Sequence, residues 1–518
     1  MGNPAGEPPL TWRDRTRQRL AREQFDVLIV GGGINGAGIA RDAALRGLSV
    51  ALIERDDFAS GTSSRSSRLV HGGVRYLEHG FFHLVFESSR ERRILLRIAP
   101  HLVHPLQFTW PVYRGARIPR WKLAAGLWLY DLLAAFRNVA RHRTLSAAQV
   151  LATEPKLQRD GLKGGATYFD AATNDARLTI ANVMDAAASG VAALNYAEVT
   201  SLAFEGGKVS GAEVRDRVTH ETFHVHARSV VNATGPWTDS ISRIEDPSSA
   251  PAVLGTKGVH IAVPAQRVGN RAAITMLAHA DQRVMFVLPG GVHTIIGTTD
   301  TETREHPDQV RATRADVQYL LDGANDYFPE AKLTPQDVVC AWAGIRPLIA
   351  SGNTGDPAGA SRESAITVGP RGVIAVTGGK LTTYRAMSEE VTDAVQKYLG
   401  QRVTSSRTAE RVLPGSGVRP EEGDGRVSER LVAELPYTVN DVLAAVDHEL
   451  ACTIADVLVR RTHLAFETRD HGAAVALRVA DLLAPRLGWS ATDVARHLDD
   501  YGAEVARLFT IDEAEAGS

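Results

Sequence analysis

The chain has 518 residues, of which 44% are hydrophobic and 23% are charged, a balance that excludes an intrinsically disordered protein. Its formal net charge of -2 gives no electrostatic argument for a nucleic acid partner. Two cysteines cannot build a disulfide framework, which favours a reducing, cytoplasmic compartment. The most apolar helical run, residues 121–136, is shorter than the ~20 residues of a transmembrane helix.

Residues 1–24 form an arginine-rich leader with a few apolar positions. A segment of this composition can lie on an anionic membrane surface, or it can be a solvated helix. Both interpretations stay open from the sequence.

The next stretch has the spacing of a complete βαβ unit. Residues 25–30 are apolar and β-branched, which predicts a buried parallel strand. Residues 34–46 show helical periodicity and end at Gly47, and residues 48–53 predict a second strand.

A glycine fingerprint lies between the first strand and the helix. Gly31, Gly33 and Gly36 form G-x-G-x-x-G, and Glu54 follows about 20 residues later, as a dinucleotide site requires. We expect Gly31 to allow the tight turn, Gly33 to let a pyrophosphate approach the backbone, and Gly36 to let helix and strand pack closely. The positive end of the helix dipole would face the phosphates, and Glu54 would bind the ribose.

Two later strands also end in glycine turns. Residues 229–232 lead into Ala233, Thr234 and Gly235, and residues 373–377 lead into Gly378 and Gly379 and then a helix. The sequence contains no second G-x-G-x-x-G for a separate nicotinamide cofactor. The pattern indicates one domain assembled from separate pieces around a long cofactor.

The other segments predict further domains. Residues 258–265 and 283–301 alternate in polarity, which is typical of an antiparallel sheet. A Pro/Gly-rich linker and amphipathic helical patterns follow. The predicted organisation is a leader at 1–24, a dinucleotide-binding domain at 25–110, 150–250 and 340–398, a substrate-binding domain at 111–149 and 251–339, a linker at 399–425, and a helical domain at 426–518.

The chain resembles the FAD-dependent glycerol-3-phosphate dehydrogenases of the quinone-linked, aerobic type. The segments that carry the resemblance extend from about residue 25 to about residue 509, and they agree in order and spacing. They are DVLIVGGGINGAGIARDAALRGL, DDFASGTSSRSSRLVHGGVRYLEHG, LYDLLA, NATGPWTD, KGVHIAV, GTTDT, AGIRPL, SRE, VTGGKLTTYR and DVLVRRTHLAF. The resemblance implies an α/β (α+β) fold: a discontinuous Rossmann-like FAD-binding domain, an antiparallel-sheet substrate domain and an all-α C-terminal domain.

The resemblance also implies the reaction. The family oxidises sn-glycerol 3-phosphate to dihydroxyacetone phosphate by hydride transfer from C2 to flavin N5, and passes the electrons to the membrane quinone pool. An oxidase branch uses oxygen and tends to carry an inserted segment, and no obvious insertion is present here. A flavin-binding subunit without catalysis is the alternative of another class. The implied location is the inner face of the plasma membrane, as a peripheral protein, with an anionic lipid surface and a second copy of the chain as further candidate partners.

Candidate substrate-binding and catalytic residues follow from the charge of the substrate. Arginine binds phosphate through its planar, bidentate fork, and Arg75, Arg346 and Arg362 are the candidates. Tyr76 and Lys380 lie beside matching motifs and are assigned to substrate binding as well, with Arg346 and Lys380 also in catalytic roles.

His71 and His260 are the two candidate general bases, because histidine titrates near neutral pH. The sequence does not rank them, and arginine-assisted or water-mediated proton transfer stays open. No metal site is predicted.

The predicted FAD contacts come from several separate parts of the chain. The hydroxyl-rich loop at 59–69 suits the pyrophosphate and the flavin edge, with a flexible linker as its alternative. Gly72 and Gly73 are expected to let the backbone pass close to the ring. The full set is Gly31, Gly33, Ile34, Asn35, Gly36, Glu54, Arg55, Ser60, Thr62, Ser63, Ser67, Leu69, His71, Gly72, Gly73, Val199, Ala233, Thr234, Gly235, Trp237, Gly344, Gly379, Lys380, Leu381 and Thr382.

Overall fold

A computed structural model describes residues 11–78, 80–135, 138–349, 364–415 and 429–513. Within these ranges the helices α1 to α14 are, in chain order, Trp12–Arg22, Ile34–Leu45, Phe82–Ile98, Arg120–Leu133, Ala147–Thr153, Asp175–Ala188, Thr238–Glu245, Ala265–Val268, Arg314–Tyr327, Tyr384–Tyr398, Val439–His448, Leu464–Glu467, Ala473–Leu487 and Ala491–Phe509. Short 3-10 helices cover Thr62–Ser64, Val74–Leu77, Gly235–Trp237, Pro335–Asp337 and Leu381–Thr383, and a π-helix covers Asp456–Arg461.

The strands β1 to β22 are numbered in the same way. They are Gln24–Phe25, Val27–Val30, Val50–Ile53, Leu69–Val70, Val103–Tyr113, Arg143–Leu145, Leu162–Thr173, Ala192–Leu194, Ala197–Glu205, Lys208–Asp216, Thr222–Ala227, Val230–Asn232, Val253–Pro264, Ala273–Leu277, Val284–Gly290, His293–Gly297, Thr301–Glu302, Ala312–Thr313, Cys340–Ile349, Ser364–Val368, Ile374–Gly378 and Ile511–Asp512.

A six-stranded sheet carries the predicted βαβ unit. Its order is β20-β21-β12-β2-β3-β8, and all neighbours are parallel except β20 and β21. Every residue of β2 and β3 is buried, as expected for a parallel sheet covered on both faces. α2 packs between α6 and α10 on one face. The predicted FAD-binding fold, assembled from separate pieces of the chain, is confirmed.

The predicted strand at 25–30 is two strands. β1 pairs with β11 in a separate four-stranded sheet, β1-β11-β10-β9, whereas β2 belongs to the six-stranded sheet. Asp26 marks the break: its carboxylate accepts from the Ser49 backbone N–H at 3.0 Å and pairs with Arg228 at 2.9 Å.

The sheet predicted for the substrate domain is present and larger than expected, and it is antiparallel except between β14 and β5, which are parallel. Its main path is β17-β13-β16-β15-β14-β5-β7-β4, and β19 pairs with β13 over ten residues, from Val253 opposite Ile349 to Ala262 opposite Cys340. β5 runs across the boundary placed at residue 110. β7 and β19 belong to this sheet, although they lie in segments assigned to the dinucleotide-binding domain. The domain boundaries themselves stay predictions.

The leader contains α1, which packs on the protein's own four-stranded sheet. A capping box of Thr11 and Asp14 begins the helix. Leu20 is fully buried, and Arg13 donates to Asp216 at 2.8 Å and to the Asn195 carbonyl at 2.7 Å. One face of the helix is thus used for internal packing.

The C-terminal part is helical, as predicted, with the two-residue strand β22 pairing with β18 as an addition. A buried carboxylate, Asp57, attaches it to the six-stranded sheet. Asp57 accepts from Arg460 Nε and Arg461 Nη1, both at 2.6 Å, and from Asn195 at 3.0 Å. Burial opposes ionisation of Asp57, but the charges of Arg461 and Arg460 outweigh it and hold its pKa below the ordinary value.

Across the described ranges, no helix combines the length and the apolar character needed to cross a membrane.

We expect Asp57→Asn to lower the free energy of unfolding by about 3–5 kcal/mol, because two buried guanidinium groups lose their charged partner. Urea unfolding followed by circular dichroism measures this. The matched control is Asp447→Asn, whose ion pair with Arg486 is exposed, and its cost should stay below about 1 kcal/mol. Equal losses in both variants would show that the Asp57 cluster has no special role in stability.

Candidate active site

A cavity of about 640 Å³ is lined by residues of both large sheets. This volume lies within the range of ~300–1,000 Å³ that is usual for small-molecule sites. The turn after β2 and the loop before β4 contribute to one part of the lining. Residues of β13 and β19 and the turn after β21 contribute to another part.

Close packing requires two of the three fingerprint glycines, and the third leaves the backbone before α2 open to the cavity. Gly31 has φ +105°, and a Cβ there would lie 2.7 Å from the Ala233 carbonyl oxygen. A Cβ on Gly36 would clash with the Gly31 carbonyl, so α2 could not approach the turn. Gly33 precedes α2 without a side-chain cap, and a Cβ on it would lie 3.2 Å from Ser63 Oγ. The helix N-terminus therefore faces the cavity with bare backbone.

Glu54 lies at the end of β3, where the fingerprint places it. Its Oε2 accepts from the Gly32 N–H at 2.6 Å and its Oε1 from the Asp56 N–H at 2.9 Å. Burial, followed by the charge of Asp56, raises the pKa of Glu54 to about 7. Because the carboxyl is fixed by backbone donors, it presents a rigid hydrogen-bonding group to the cavity.

The hydroxyl-rich loop is ordered by hydrogen bonds to three different elements. Ser63 Oγ accepts from the Ile34 N–H at 2.9 Å, and Thr62 Oγ1 donates to the Ile345 carbonyl at 2.7 Å. Ser67 Oγ lies 2.8 Å from His260 Nε2. The loop therefore joins α2, β19 and β13, which excludes the flexible-linker alternative.

His260 lies in the middle of β13 and lines the cavity. Its ring stacks on Trp342 of β19, with centroids 5.3 Å apart and planes at 11°. Burial, then the charges of Arg346 and Arg68, lower the pKa of His260 to about 3. The imidazole is consequently neutral at physiological pH.

Two of the predicted cations reach the same cavity. The Arg346 guanidinium is oriented by Asp300 Oδ1 at 3.0 Å and Thr298 Oγ1 at 2.8 Å. Lys380 Nζ lies 3.8 Å from the centroid of the Tyr76 ring. Cations in a partly buried cavity attract an anionic ligand more strongly than they would in bulk water.

The segment around His71 contributes to the wall in two ways. His71 lines the cavity, its N–H donates to Thr382 Oγ1 at 3.1 Å, and its ring lies 6.3 Å from that of Tyr76. Gly72 and Gly73 lie behind this wall: a Cβ on the first would clash with the Tyr130 hydroxyl, and on the second with the Tyr76 ring. Glycine at these two positions leaves room for the side chains of Tyr130 and Tyr76.

Nearly all predicted site residues meet at this cavity. The predicted residues that line it are Gly31, Gly33, Ile34, Asn35, Glu54, Arg55, Ser60, Thr62, Ser63, Ser67, Leu69, His71, Tyr76, Val199, Ala233, Thr234, Gly235, Trp237, His260, Gly344, Arg346, Gly379, Lys380, Leu381 and Thr382. Arg75 lies in the 3-10 helix Val74–Leu77, and Arg362 lies outside the described residues.

Sequence reasoning missed several polar residues of the lining, among them Arg65, Asp300 and Arg283. Arg65 donates to the Ser60 carbonyl at 3.1 Å, and burial is the main cause that lowers its pKa to about 10. Asp300 and Arg283 line the cavity near Arg346. Arg65 and Asp300 both lie inside segments that carry the family resemblance, GTSSRSSR and GTTDT. Their place in these segments could have identified them as site residues.

Comparisons with known proteins agree with this geometry. A family model described as FAD dependent oxidoreductase matches residues 26–394, and one described as C-terminal domain of alpha-glycerophosphate oxidase matches residues 407–494. Glycerol-3-phosphate dehydrogenase 2 of Mycobacterium tuberculosis is 38% identical, over 94% of this chain and 89% of its own. The mitochondrial glycerol-3-phosphate dehydrogenase of Homo sapiens is 36% identical, over 93% of this chain and 73% of its own.

Among solved structures, the glycerol-3-phosphate dehydrogenase of Bacillus halodurans complexed with FAD is similar to this fold. It has a TM-score of 0.77 and 31% identity, and the match covers 98% of this chain and 99% of the other.

The residues of the cavity fit FAD. The fingerprint turn leaves backbone bare at Gly31 and Gly33, and Glu54 is fixed at the end of β3. Trp237 Nε1 and Arg65 Nε are buried in the lining and have no hydrogen-bond partner within the described part of the chain. Such donors are costly in a protein interior unless a ligand accepts from them. The cofactor is FAD.

We expect Gly33→Val to abolish retention of FAD, because the added methyl groups fill the space in front of α2 and press on Ser63. The absorbance of the purified protein near the flavin maximum measures this. The matched control is Gly502→Val in α14, where a Cβ meets no atom within 4 Å. A yellow, fully loaded Gly33→Val protein would contradict the phosphate-site assignment.

Proposed function

We propose that this chain, which belongs to the family of FAD-dependent glycerol-3-phosphate dehydrogenases, oxidises sn-glycerol 3-phosphate to dihydroxyacetone phosphate and passes the electrons to a membrane quinone. The observation that carries the substrate proposal is the convergence of Arg346, Lys380 and a neutral His260 on the cavity that also contains the glycine fingerprint. Two cations suit a phosphate, and a neutral imidazole suits a hydroxyl that must lose a proton.

FAD, when bound, takes up the hydride from C2 of the substrate through N5 of its flavin. Arg346 and Lys380 would hold the phosphate and so fix the position of C2. Asp300 and Thr298 orient the Arg346 guanidinium before substrate arrives, which lowers the ordering cost of binding. Tyr76, under the Lys380 ammonium, would complete this wall. The phosphate contacts of Arg75 and Arg362 stay predictions from the family resemblance.

We assign His260 rather than His71 as the group that accepts the hydroxyl proton, because Ser67 fixes its Nε2 and Trp342 fixes its plane. Its pKa of about 3 makes it neutral but weakly basic. Arg346 is one cause of this low value. A phosphate dianion on Arg346 offsets that positive charge, so substrate binding raises the pKa of His260 and makes it a stronger base.

An apolar surface on α3 and α4 supports the membrane part of the proposal. Phe82 and Phe86 of α3 are 48% and 51% exposed, and Trp121, Trp128 and Leu132 of α4 are 74%, 56% and 57% exposed. Spacings of four residues in α3 and of seven and four in α4 place each set on one helix face, and the two helices pack together. Exposed aromatic residues on a helix face are typical of an interfacial membrane contact.

The surroundings of this surface suit anionic lipid. Exposed basic residues lie in the same two helices and in the segments next to α4 in the chain: Arg90, Arg97, Arg114, Arg120, Lys122, Arg141 and Arg143. The 3-10 helix Val74–Leu77 contacts both α3 and α4, and Tyr76 within it lines the cavity. A quinone in the bilayer would thus have a short path to the cavity, which favours the quinone-linked reaction, with the protein peripheral on the inner face of the membrane.

The alternatives are distinguished by product and spectrum. An oxidase would form hydrogen peroxide in air without added quinone. A flavin-binding subunit without catalysis would keep its flavin spectrum when sn-glycerol 3-phosphate is added. Homodimer formation stays a prediction that light scattering tests.

We expect sn-glycerol 3-phosphate to bleach the flavin absorbance under anaerobic conditions. In Arg346→Ala the concentration for half bleaching should rise about 10-fold to 100-fold, because a charge-assisted hydrogen bond is worth ~1.5–3 kcal/mol. Arg314→Ala, which removes an exposed arginine paired with Glu513, is the control and should behave as the parent. An unchanged spectrum in the parent protein would refute the substrate assignment, and an unchanged midpoint in Arg346→Ala would remove Arg346 from the phosphate site.

We expect a triple variant, Trp121→Ser, Trp128→Ser and Leu132→Ser, to lose about tenfold or more of its binding to vesicles of phosphatidylglycerol and phosphatidylcholine, because the apolar area available for insertion is lost. Co-sedimentation measures binding, and activity with a water-soluble dye should persist. Leu477→Ser, on an exposed face of α13, is the control. Undiminished sedimentation of the triple variant would exclude this surface as the contact.

A further inference from the structure

A row of aromatic rings joins His260 to the C-terminal helical domain. Trp342 stacks on His260, and the edge of Phe466 meets Trp342 at 90°, with centroids 5.3 Å apart in both contacts. Phe466 belongs to the short helix α12 and in turn meets Phe509 of α14 at 5.0 Å and 87°. The proposed proton acceptor is therefore in continuous ring contact with a domain whose described residues do not line the cavity.

Arg68 contacts the rings of both Trp342 and Phe466. Its guanidinium carbon lies 5.2 Å from the centroid of Trp342 and 4.9 Å from that of Phe466. Its Nε and Nη2 are buried and have no hydrogen-bond partner among the described residues. The two aromatic faces stabilise this cation together with the charges of Asp175 and Glu467.

The opposite side of the His260 ring is equally restricted. His260 pairs with Gly297 of β16 on one side and with Trp342 of β19 on the other. A Cβ on Gly297 would clash with the imidazole, so glycine there allows the ring to lie flat against the strand. Ser67, next to Arg68 in the chain, holds Nε2 at 2.8 Å.

We propose that Phe466 and Arg68 are positioning residues that hold Trp342, and through it the plane of His260, so that the C-terminal helical domain sets the geometry of proton transfer. This inference rests on the proposed function of His260. It gives the helical domain a role in the reaction. The domain contributes the rings at one end of the stack, and His260 at the other end meets the reacting hydroxyl.

The physical reason is that proton transfer tolerates little misplacement of the two reacting groups. The acceptor nitrogen must lie within about 2.6–3.2 Å of the hydroxyl. Phe466→Leu keeps an apolar side chain at this position. It removes the edge-to-face contact with Trp342 and the aromatic ring that Phe466 presents to Arg68. Trp342 then tilts, and the imidazole loses the flat support that fixes its plane.

The low pKa of the His260 imidazole has three identified causes. Burial is the largest cause of its low pKa, followed by Arg346 of β19 and Arg68 of the loop, while the facing Gly297 of β16 adds no charge. Loosening the stack admits water, so the pKa of His260 should move upward, toward its ordinary value. The acid limb of kcat/KM should shift to higher pH in the same direction.

The test compares Phe466→Leu with Phe509→Leu. Both rings are buried in the same domain, at 3% and 5% exposure, but Phe509 contacts Phe466 and His471 instead of Trp342. We expect Phe466→Leu to lower kcat about tenfold or more with the KM for sn-glycerol 3-phosphate within about twofold, as small misplacements of reacting groups have large effects on rate. Phe509→Leu should change kcat by less than about twofold.

A second readout is independent of turnover. Diethyl pyrocarbonate acylates neutral, accessible imidazoles, and peptide mass spectrometry gives the modification rate of His260. This rate should rise in Phe466→Leu and stay at the parent value in Phe509→Leu, with FAD content and melting temperature recorded for each. Arg68→Met, which keeps the chain length and removes the cation, is the second test variant and should change kcat and labelling in the same direction.

The outcomes separate this inference from the proposed function. Parental kcat and labelling in both Phe466→Leu and Arg68→Met overturn the inference, as do equal changes in Phe509→Leu, which indicate general loosening of the domain. If the substrate fails to bleach the parent flavin, the proposed function fails, while the labelling rates still decide whether the stack holds His260.

Discussion

The arrangement of the molecule depends on one buried carboxylate. Asp57 follows the second strand of the βαβ unit by four residues and neutralises Arg460 and Arg461 of the π-helix at 2.6 Å each. Asn195 donates to the same carboxylate, and Tyr196 donates to Asp456, which pairs with Arg460. This cluster fixes the start of the hydroxyl-rich loop at 59–69 and attaches the helical domain next to it. The loop and the aromatic stack therefore keep a fixed position relative to each other.

The cavity combines cations with a histidine that stays neutral. Burial, Arg346 and Arg68 disfavour a proton on His260, and Arg346 and Lys380 give the cavity the positive charge that the proposed phosphate substrate would meet. Under the proposed function the two effects are compatible, because a phosphate bound at Arg346 would offset the charge of that residue. A substrate without the phosphate would leave the proposed base weak, so binding and chemistry would depend on the same group.

Local patterns predicted the parts of this structure that are set by local physics. The βαβ unit and its glycines were evident because strand, turn, helix and acid lie within thirty residues, and the fingerprint needs each of them. The break at Asp26 was not evident, since its partner Arg228 lies 202 positions away. The same holds for Trp342 and Phe466, which read as ordinary core residues until the fold brings them to His260 and Arg68. Arg65 was within reach, as it lies between two predicted serines.

The strand order of the six-stranded sheet has a consequence for synthesis of the chain. β2 and β3 are complete by residue 53, yet the neighbours β12 and β21 end only at residues 232 and 378. A growing polypeptide therefore carries an apolar parallel strand with an open edge through most of translation, a state prone to wrong pairing. Lys380, Leu381 and Thr382 line the cavity and are made later still. Capture of the flavin is consequently a late event, and a chain that ends before residue 378 would leave an edge of this sheet unpaired and the cofactor site incomplete.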